Sequence, residues 1–344
     1  MLTPEEQLEL QRVRDEFVKC EQKPTYEISC YEEMLEMDDG VKLRTIIYRP
    51  DREGAVPTIV VRTCYPQNDY LYRATAEEYC RRGFNYIYQY CRGTGGSEGE
   101  WEPNVNERSD GKKTIDWICD QEWVGDTGYT GCSYLSLTGW LIADILPEKV
   151  KTMYLTHYGA QRFVSAFQDG MFRHDVLTAW TMENAGYPVT ADYLESCMYH
   201  PQVEVDEKLW GKKIPWYRQW ITSTDRSDPY WNTGFWNLLK EIPSRVKVPL
   251  YVGEGWYDHH LASAIETYKS LSNECKAKSR FLIGAWEHGF HVKLQDKEGT
   301  HFENDDILRT FSWFWYFLVR KKSRNRRLTI MSSGKPAGIP ERIL

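Results

Sequence analysis

The sequence predicts an α/β fold: a mostly parallel sheet covered on both faces by helices, with a helical cap inserted into it. Three observations carry this prediction. Strand-like and helix-like segments alternate over the first 156 residues, the pattern from which parallel sheets are built. A stretch from about 161 to 245, poor in strand signals and rich in tryptophan, then interrupts the alternation. Finally, the segments Gly131-Cys132-Ser133-Tyr134, Trp256-Tyr257-Asp258 and Trp286-Glu287-His288-Gly289 each follow an apolar run, in the order serine, acid, histidine that α/β-hydrolases use.

The elements follow in chain order. Thr3 is an N-cap, Pro4 fits the first helical position, and Leu10, Val13 and Phe17 recur at helical spacing, so an opening helix is expected. Residues 26–37 and 41–48 read as two strands joined at Asp38-Asp39-Gly40, a turn sequence that tolerates positive φ. A strand at 58–63, a helix near 74–82, a strand at 85–91 and a helix near 111–119 come next. A strand ending at Gly131, a helix over 134–145 and a strand at 150–156 complete the first run, and the sheet resumes at 249–253 and 280–285. The division expected is a core of residues 1–160 and 246–344 with a cap at 161–245.

Composition narrows the function. The chain has 344 residues, of which 41% are hydrophobic and 27% charged, enough to bury a large core. A formal net charge of −7 gives no reason to expect nucleic acid as a partner. The basic run Arg320, Lys321, Lys322, Arg324, Arg326 and Arg327 follows the aromatic stretch 311–317, and its simplest reading is a solvated turn after a helix packed by its aromatic face. That apolar stretch is far shorter than the ~20 residues a membrane span requires, and charges interrupt any signal-like segment at the N-terminus. Nine cysteines, scattered and without a Cys-x-x-Cys pair, fit reduced thiols, so a cytoplasmic protein is expected.

Ser133 sits in the setting a nucleophile elbow needs, with Gly131 before it and the small Ser136 after it, so that the backbone turns tightly and the hydroxyl projects. Asp258 lies where an acid would hold an imidazole in one tautomer, and His288 where a base would take the proton of Ser133. Asp258, His259, His260, His288 and His291 also resemble a metal cluster, but two of them already serve the serine chemistry, so neither metal nor other cofactor is expected. The glycine-rich run at Gly93 lacks the Gly-Lys-Ser/Thr of a phosphate loop, so no nucleotide is implied, and Arg92 and Glu98 should bracket a turn beneath the site. Cys132 reads as packing within the elbow.

With these segments the chain resembles the CocE/NonD family of serine hydrolases, which includes cocaine esterase and X-Pro dipeptidyl-peptidases. The resemblance runs through Arg62-Thr63-Cys64-Tyr65, Arg92 to Gly99, Trp117, Gln121-Glu122-Trp123, the elbow, Asp228-Pro229-Tyr230-Trp231, Gly255 to Asp258 and Trp286-Glu287-His288. It implies an oxyanion hole made by the Tyr65 hydroxyl and the Tyr134 backbone N–H. Three departures stand out: Ser136 replaces a usual glycine, Tyr90 replaces a usual aspartate, and His259-His260-Leu261 stands where some relatives carry acids for a substrate ammonium. The C-terminal jelly roll usual in the family is expected to be absent.

The resulting expectation is a serine hydrolase that cleaves an ester or amide of a small acyl substrate through an acyl-enzyme, with Ser133, Asp258 and His288 catalytic. The alternatives are acyl transfer to an alcohol or amine by the same residues, as in biosynthetic acyltransferases or cyclases, and a catalytically inactive binding or assembly protein. With no jelly roll, Trp313, Phe314, Trp315 and Phe317 are expected on an exposed face that a homo-oligomer would cover.

Overall fold

The computed structural model describes residues 2–288 and 306–320. Gly289, His291 and the basic run from Lys321 to Arg327 lie outside the described residues.

The opening helix α1 (Pro4–Val18) begins as its sequence requires: the Thr3 side chain accepts from the Glu6 N–H, and the Glu6 carboxylate accepts from the Thr3 N–H at 2.6 Å. Strands β1 (Ile28–Glu36) and β2 (Lys42–Pro50) form the expected antiparallel hairpin. They are followed by β3 (Val56–Thr63), α2 (Asp69–Arg81), β4 (Asn85–Tyr90), α3 (Glu107–Asp120), β5 (Val124–Cys132), α4 (Tyr134–Trp140) and β6 (Val150–Thr156). Helices α2 and α3 start four or five residues before the apolar periodicity does, because charged first turns such as Asp69 and Glu107 carry no hydrophobic signal. Helix α4 ends at Trp140 instead of continuing to 145.

Between β6 and the next sheet strand lie α5 (Arg162–Ala166), a short hairpin of β7 (Phe167–Gln168) and β8 (Met171–Phe172), α6 (Ala179–Glu183), α7 (Tyr193–Met198), α8 (Val205–Lys208), α9 (Pro215–Thr222), α10 (Pro229–Asn232) and α11 (Gly234–Arg245). The tryptophans of this stretch account for its packing. Trp220, Trp231 and Trp236 join the main core, while Trp210 closes a smaller cluster with Val205, Ile214 and Tyr217. Each such burial contributes on the order of 2–3 kcal/mol. Helix α11 packs on α4, so the last part of this stretch covers the sheet.

The chain then returns as β9 (Leu250–Gly255), α12 (Leu261–Ser270), α13 (Asn273–Lys278) and β10 (Arg280–Gly284). The eight long strands form one sheet in the order β1-β2-β4-β3-β5-β6-β9-β10, parallel from β4 to β10. This is the α/β-hydrolase sheet. Its parallel part aligns the C-terminal ends of β5, β9 and β10 along one edge, where the three sequence segments sit.

Helix α14 (Asp306–Phe314) and the helical turn Trp315–Val319 pack against β5, β6 and α1. Phe311, Trp313 and Phe314 are 1%, 5% and 0% exposed, and Phe317 is 9% exposed, within the core cluster that also holds Phe17, Tyr79 and Phe84. The Trp313 indole N–H donates to Thr152 at 2.8 Å, and the Tyr154 hydroxyl donates to Asp306 at 2.7 Å. The expected exposed aromatic face is therefore corrected: an amphipathic helix this aromatic gains more by covering β5 and β6 than by awaiting a partner.

Candidate active site

Ser133 lies at the turn from β5 into α4 with φ +57° and ψ −125°, a strained conformation for a residue with a side chain. The turn is possible because Gly131 has no Cβ; one placed there would stand 2.2 Å from the Leu135 carbonyl oxygen. Gly255 has the same role after β9, since a Cβ there would meet the Trp286 carbonyl oxygen at 2.2 Å. Two glycines thus let the loops bearing Ser133 and Asp258 close on each other and on His288.

The structure brings these three residues together. His288 Nε2 lies 2.8 Å from Ser133 Oγ, and His288 Nδ1 lies 2.9 Å from Asp258 Oδ2. Burial by itself would raise the Asp258 pKa, but hydrogen bonds from His157 and His288 outweigh it and hold the carboxyl well below its ordinary value. An ionised carboxylate can only accept, so Nδ1 of His288 carries the proton and Nε2 offers its lone pair to the serine hydroxyl.

His157 was not singled out in the sequence. It follows β6 at φ +55°, is fully buried, and its Nδ1 also donates to Asp258 Oδ2. The other carboxylate oxygen accepts from the His260 backbone N–H at 2.8 Å. The missed signal was positional: Thr156-His157 ends the strand that lies between the strands of Ser133 and Asp258. The potential ligand atoms of His157, Asp258 and His288 lie within 4.8 Å of one another, so these are the residues that could hold a metal. His259 and His260 do not join them. Burial lowers His259 to about 3 and His260 well below its ordinary value, so both are neutral.

Beneath this cluster Glu254 is fully buried, 4.0 Å from His157 Nδ1. Burial first, and then the Asp258 charge, push its pKa well above the usual carboxylate range. A group whose folded pKa is raised binds an extra proton in the native state, so its contribution is complete below its unfolded pKa and is lost as pH rises towards the folded one. Glu254→Gln, which keeps a neutral side chain of the same shape, should remove that loss. Thermal unfolding at pH 5 and 8 should show the variant gaining on the wild type at pH 8, by up to about 1.4 kcal/mol per pH unit over the titration range. An identical pH dependence in the two proteins would show that Glu254 is ionised.

Tyr65 ends the loop after β3, and its hydroxyl accepts from the Trp180 indole N–H at 2.8 Å. Burial raises its pKa well above the ordinary value, so the phenol keeps its hydrogen. The Tyr134 backbone N–H is at the first position of α4, where a helix offers no carbonyl to receive it. The Tyr134 side chain is anchored elsewhere: it donates to Glu107 at 3.0 Å, accepts from the Asn104 N–H at 2.8 Å and stacks on Trp180. Glu107 in turn pairs with the fully buried Arg62 at 2.9 Å, and Arg62 also donates to Gln89 at 2.8 Å. The Arg-Thr-Cys-Tyr segment and the elbow are thereby tied to one another through β4 and α3.

Arg92 does not pair with Glu98; it bridges Asp39 and Asp110, while the Glu98 carboxylate accepts from the Lys42 N–H at 3.0 Å. Tyr90 packs against Gly95 and donates to Asp69 at 2.6 Å, which supports the glycine-rich loop in place of an aspartate. Burial pushes the Cys132 thiol up, so it stays protonated beside the serine.

A cavity of about 270 Å³ opens onto Ser133 and His288, walled by Tyr134, Trp180, Trp220 and Arg162. Its position and polarity suit a small carbonyl compound presented to an activated serine.

Residues 39–290 match the family model described as X-Pro dipeptidyl-peptidase (S15 family). The chain is similar to a cocaine esterase of Rhodococcus sp. (strain MB1 Bresler), at 26% identity over 280 residues that cover 74% of this chain and 48% of that protein. Among solved structures, an α-amino acid ester hydrolase superposes with a TM-score of 0.67 at 20% identity, over 86% of this chain and 55% of the other. An aminopeptidase from the marine sediment archaeon Thaumarchaeota archaeon gives 0.64 at 20% identity, over 85% and 55%. The chain spans about half the length of these relatives.

Proposed function

Because the chain belongs to the X-Pro dipeptidyl-peptidase (S15) family, we propose that it is a serine hydrolase that cleaves an ester or amide of a small acyl substrate through an acyl-enzyme intermediate. The observation that carries this reading is the 2.8 Å approach of His288 Nε2 to Ser133 Oγ, in the tautomer that accepts a proton. Ser133 attacks the carbonyl carbon as His288 takes its proton, Asp258 stabilises the imidazolium, and the Tyr65 hydroxyl and Tyr134 N–H receive the oxyanion. His288 then gives the proton to the leaving group, and water, activated by the same imidazole, releases the acyl group.

In this reading the described residues of 1–160 and 246–344 form the core and 161–245 the cap that closes the site. The scattered, unpaired cysteines favour a reducing compartment, the cytoplasm. Among the described residues no helix is long and apolar enough to cross a membrane.

The test is a fluorophosphonate probe followed by mass spectrometry. Stoichiometric modification at Ser133 is expected, and a protein that resists the probe while folded would overturn the assignment. For the oxyanion hole, Tyr65→Phe should lower kcat roughly 100-fold with little change in KM, since the lost hydroxyl acts on a charge present only in the transition state. Equal turnover would reduce Tyr65 to packing against Trp180.

A further inference from the structure

Arg162 is a buried, charged residue of the cavity wall whose chemistry the proposed reaction does not use. It begins α5, is only 7% exposed, and lies over the Trp220 ring at 4.8 Å and the Trp236 ring at 6.0 Å. Stacking of this kind neutralises neither its charge nor its N–H donors. Its Nε has no hydrogen-bond partner, and among the described residues no carboxylate pairs with it; the Tyr158 hydroxyl is a neutral neighbour. A guanidinium buried without an acid is costly, and such groups are ordinarily completed by one.

The other charged groups at the cavity leave the position open. Asp175 is already engaged by Arg173, at 2.9 Å and 2.6 Å, and Glu183 is exposed. The adjacent His259 and His260 are neutral. Arg162 therefore supplies a cation at the cavity wall, held in orientation by an aromatic platform, with Ser133 opening onto the same space.

We propose that Arg162 is a substrate-binding residue that receives a free carboxylate, so that the substrate is an ester or amide that also carries an anionic carboxylate group. This deepens the hydrolase reading and rests on it. A planar guanidinium grips a carboxylate through two parallel N–H donors, which fixes orientation as well as affinity.

Two pairs of isosteric substrates test the proposal. The first is the p-nitrophenyl ester of glutarate against that of 4-carbamoylbutanoate, which places the charge on the acyl side. The second is the butyryl ester of 4-hydroxybenzoate against that of 4-hydroxybenzamide, which places it on the leaving group. The carboxylate member of at least one pair should lead by about 10- to 100-fold in kcat/KM, the range for a hydrogen bond to a charged group, and Arg162→Met should abolish that lead. Binding of glutaramate, which carries one carboxylate, against glutaramide, which carries none, read from tryptophan fluorescence of the wild type, is independent of catalysis.

Preference for the carboxylate in neither pair, or a preference that survives Arg162→Met, would overturn the proposal. If Arg162→Met does not fold, the wild-type ratios still decide. If all four esters resist turnover and the fluorophosphonate probe fails, yet glutaramate binds in preference to glutaramide, the hydrolase reading falls and the carboxylate subsite stands. Equal binding of the two under those conditions removes both.

Discussion

Replacing Ser133 by alanine is expected to abolish fluorophosphonate labelling and to lower ester turnover by roughly 10⁴–10⁶-fold, with circular dichroism and thermal unfolding almost unchanged. The size follows from the proposed reaction, in which the hydroxyl lost forms the acyl bond and stands 2.8 Å from the imidazole that would take its proton. The fold survives because Gly131 and the first turn of α4, not the serine oxygen, shape the elbow. The strained φ of +57° remains in the alanine variant, so no relief of the turn compensates for the lost oxygen. Turnover within tenfold of wild type in a purified, folded variant would move the nucleophile elsewhere.

Asp258→Asn carries the second largest effect, a fall in kcat of about 10⁴-fold. An amide cannot stabilise the imidazolium and can present a donor where Nδ1–H of His288 needs an acceptor, which favours the tautomer that cannot deprotonate Ser133. Here the effect extends beyond the base, because Asp258 Oδ2 also receives His157 and the carboxylate is buried. Stability should change with a definite sign. A carboxyl whose folded pKa is depressed stabilises the protein above its unfolded value and loses that contribution as pH falls through the folded one. Thermal unfolding of the wild type should therefore weaken more steeply than that of Asp258→Asn below the ordinary value of 3.8. Parallel acid profiles together with unimpaired kcat would remove Asp258 from both roles.

Much of the molecule is legible in the sequence because local rules and tertiary demands agree there. The capping box at Thr3 and Glu6, the Asp38-Asp39-Gly40 turn and the alternating apolar runs specify elements that the fold uses nearly as written. Legibility stopped where the signal lay in partners. The burial of Trp313 and Phe314 depends on β5 and β6 offering a surface, with Gly128 leaving room for the Phe314 ring. An aromatic run reads the same whether it meets solvent or a sheet. The exposed face expected there assumed an uncovered helix, and the sheet itself covers it.

By itself, the sequence determined the α/β class, the sheet strands, the order serine, acid, histidine, and the small residues that make an elbow possible. These depend on periodicity and backbone freedom, which are properties of neighbouring residues. Only the tertiary structure decided that His157 shares the carboxylate of Asp258 across 101 positions, that burial and the Asp258 charge push the Glu254 pKa upwards beside it, and that Arg162 rests on Trp220 without an acid of its own. Charge state and hydrogen-bond partnership depend on desolvation and on atoms brought close from distant parts of the chain, and neither exists until the sheet has aligned its strand ends.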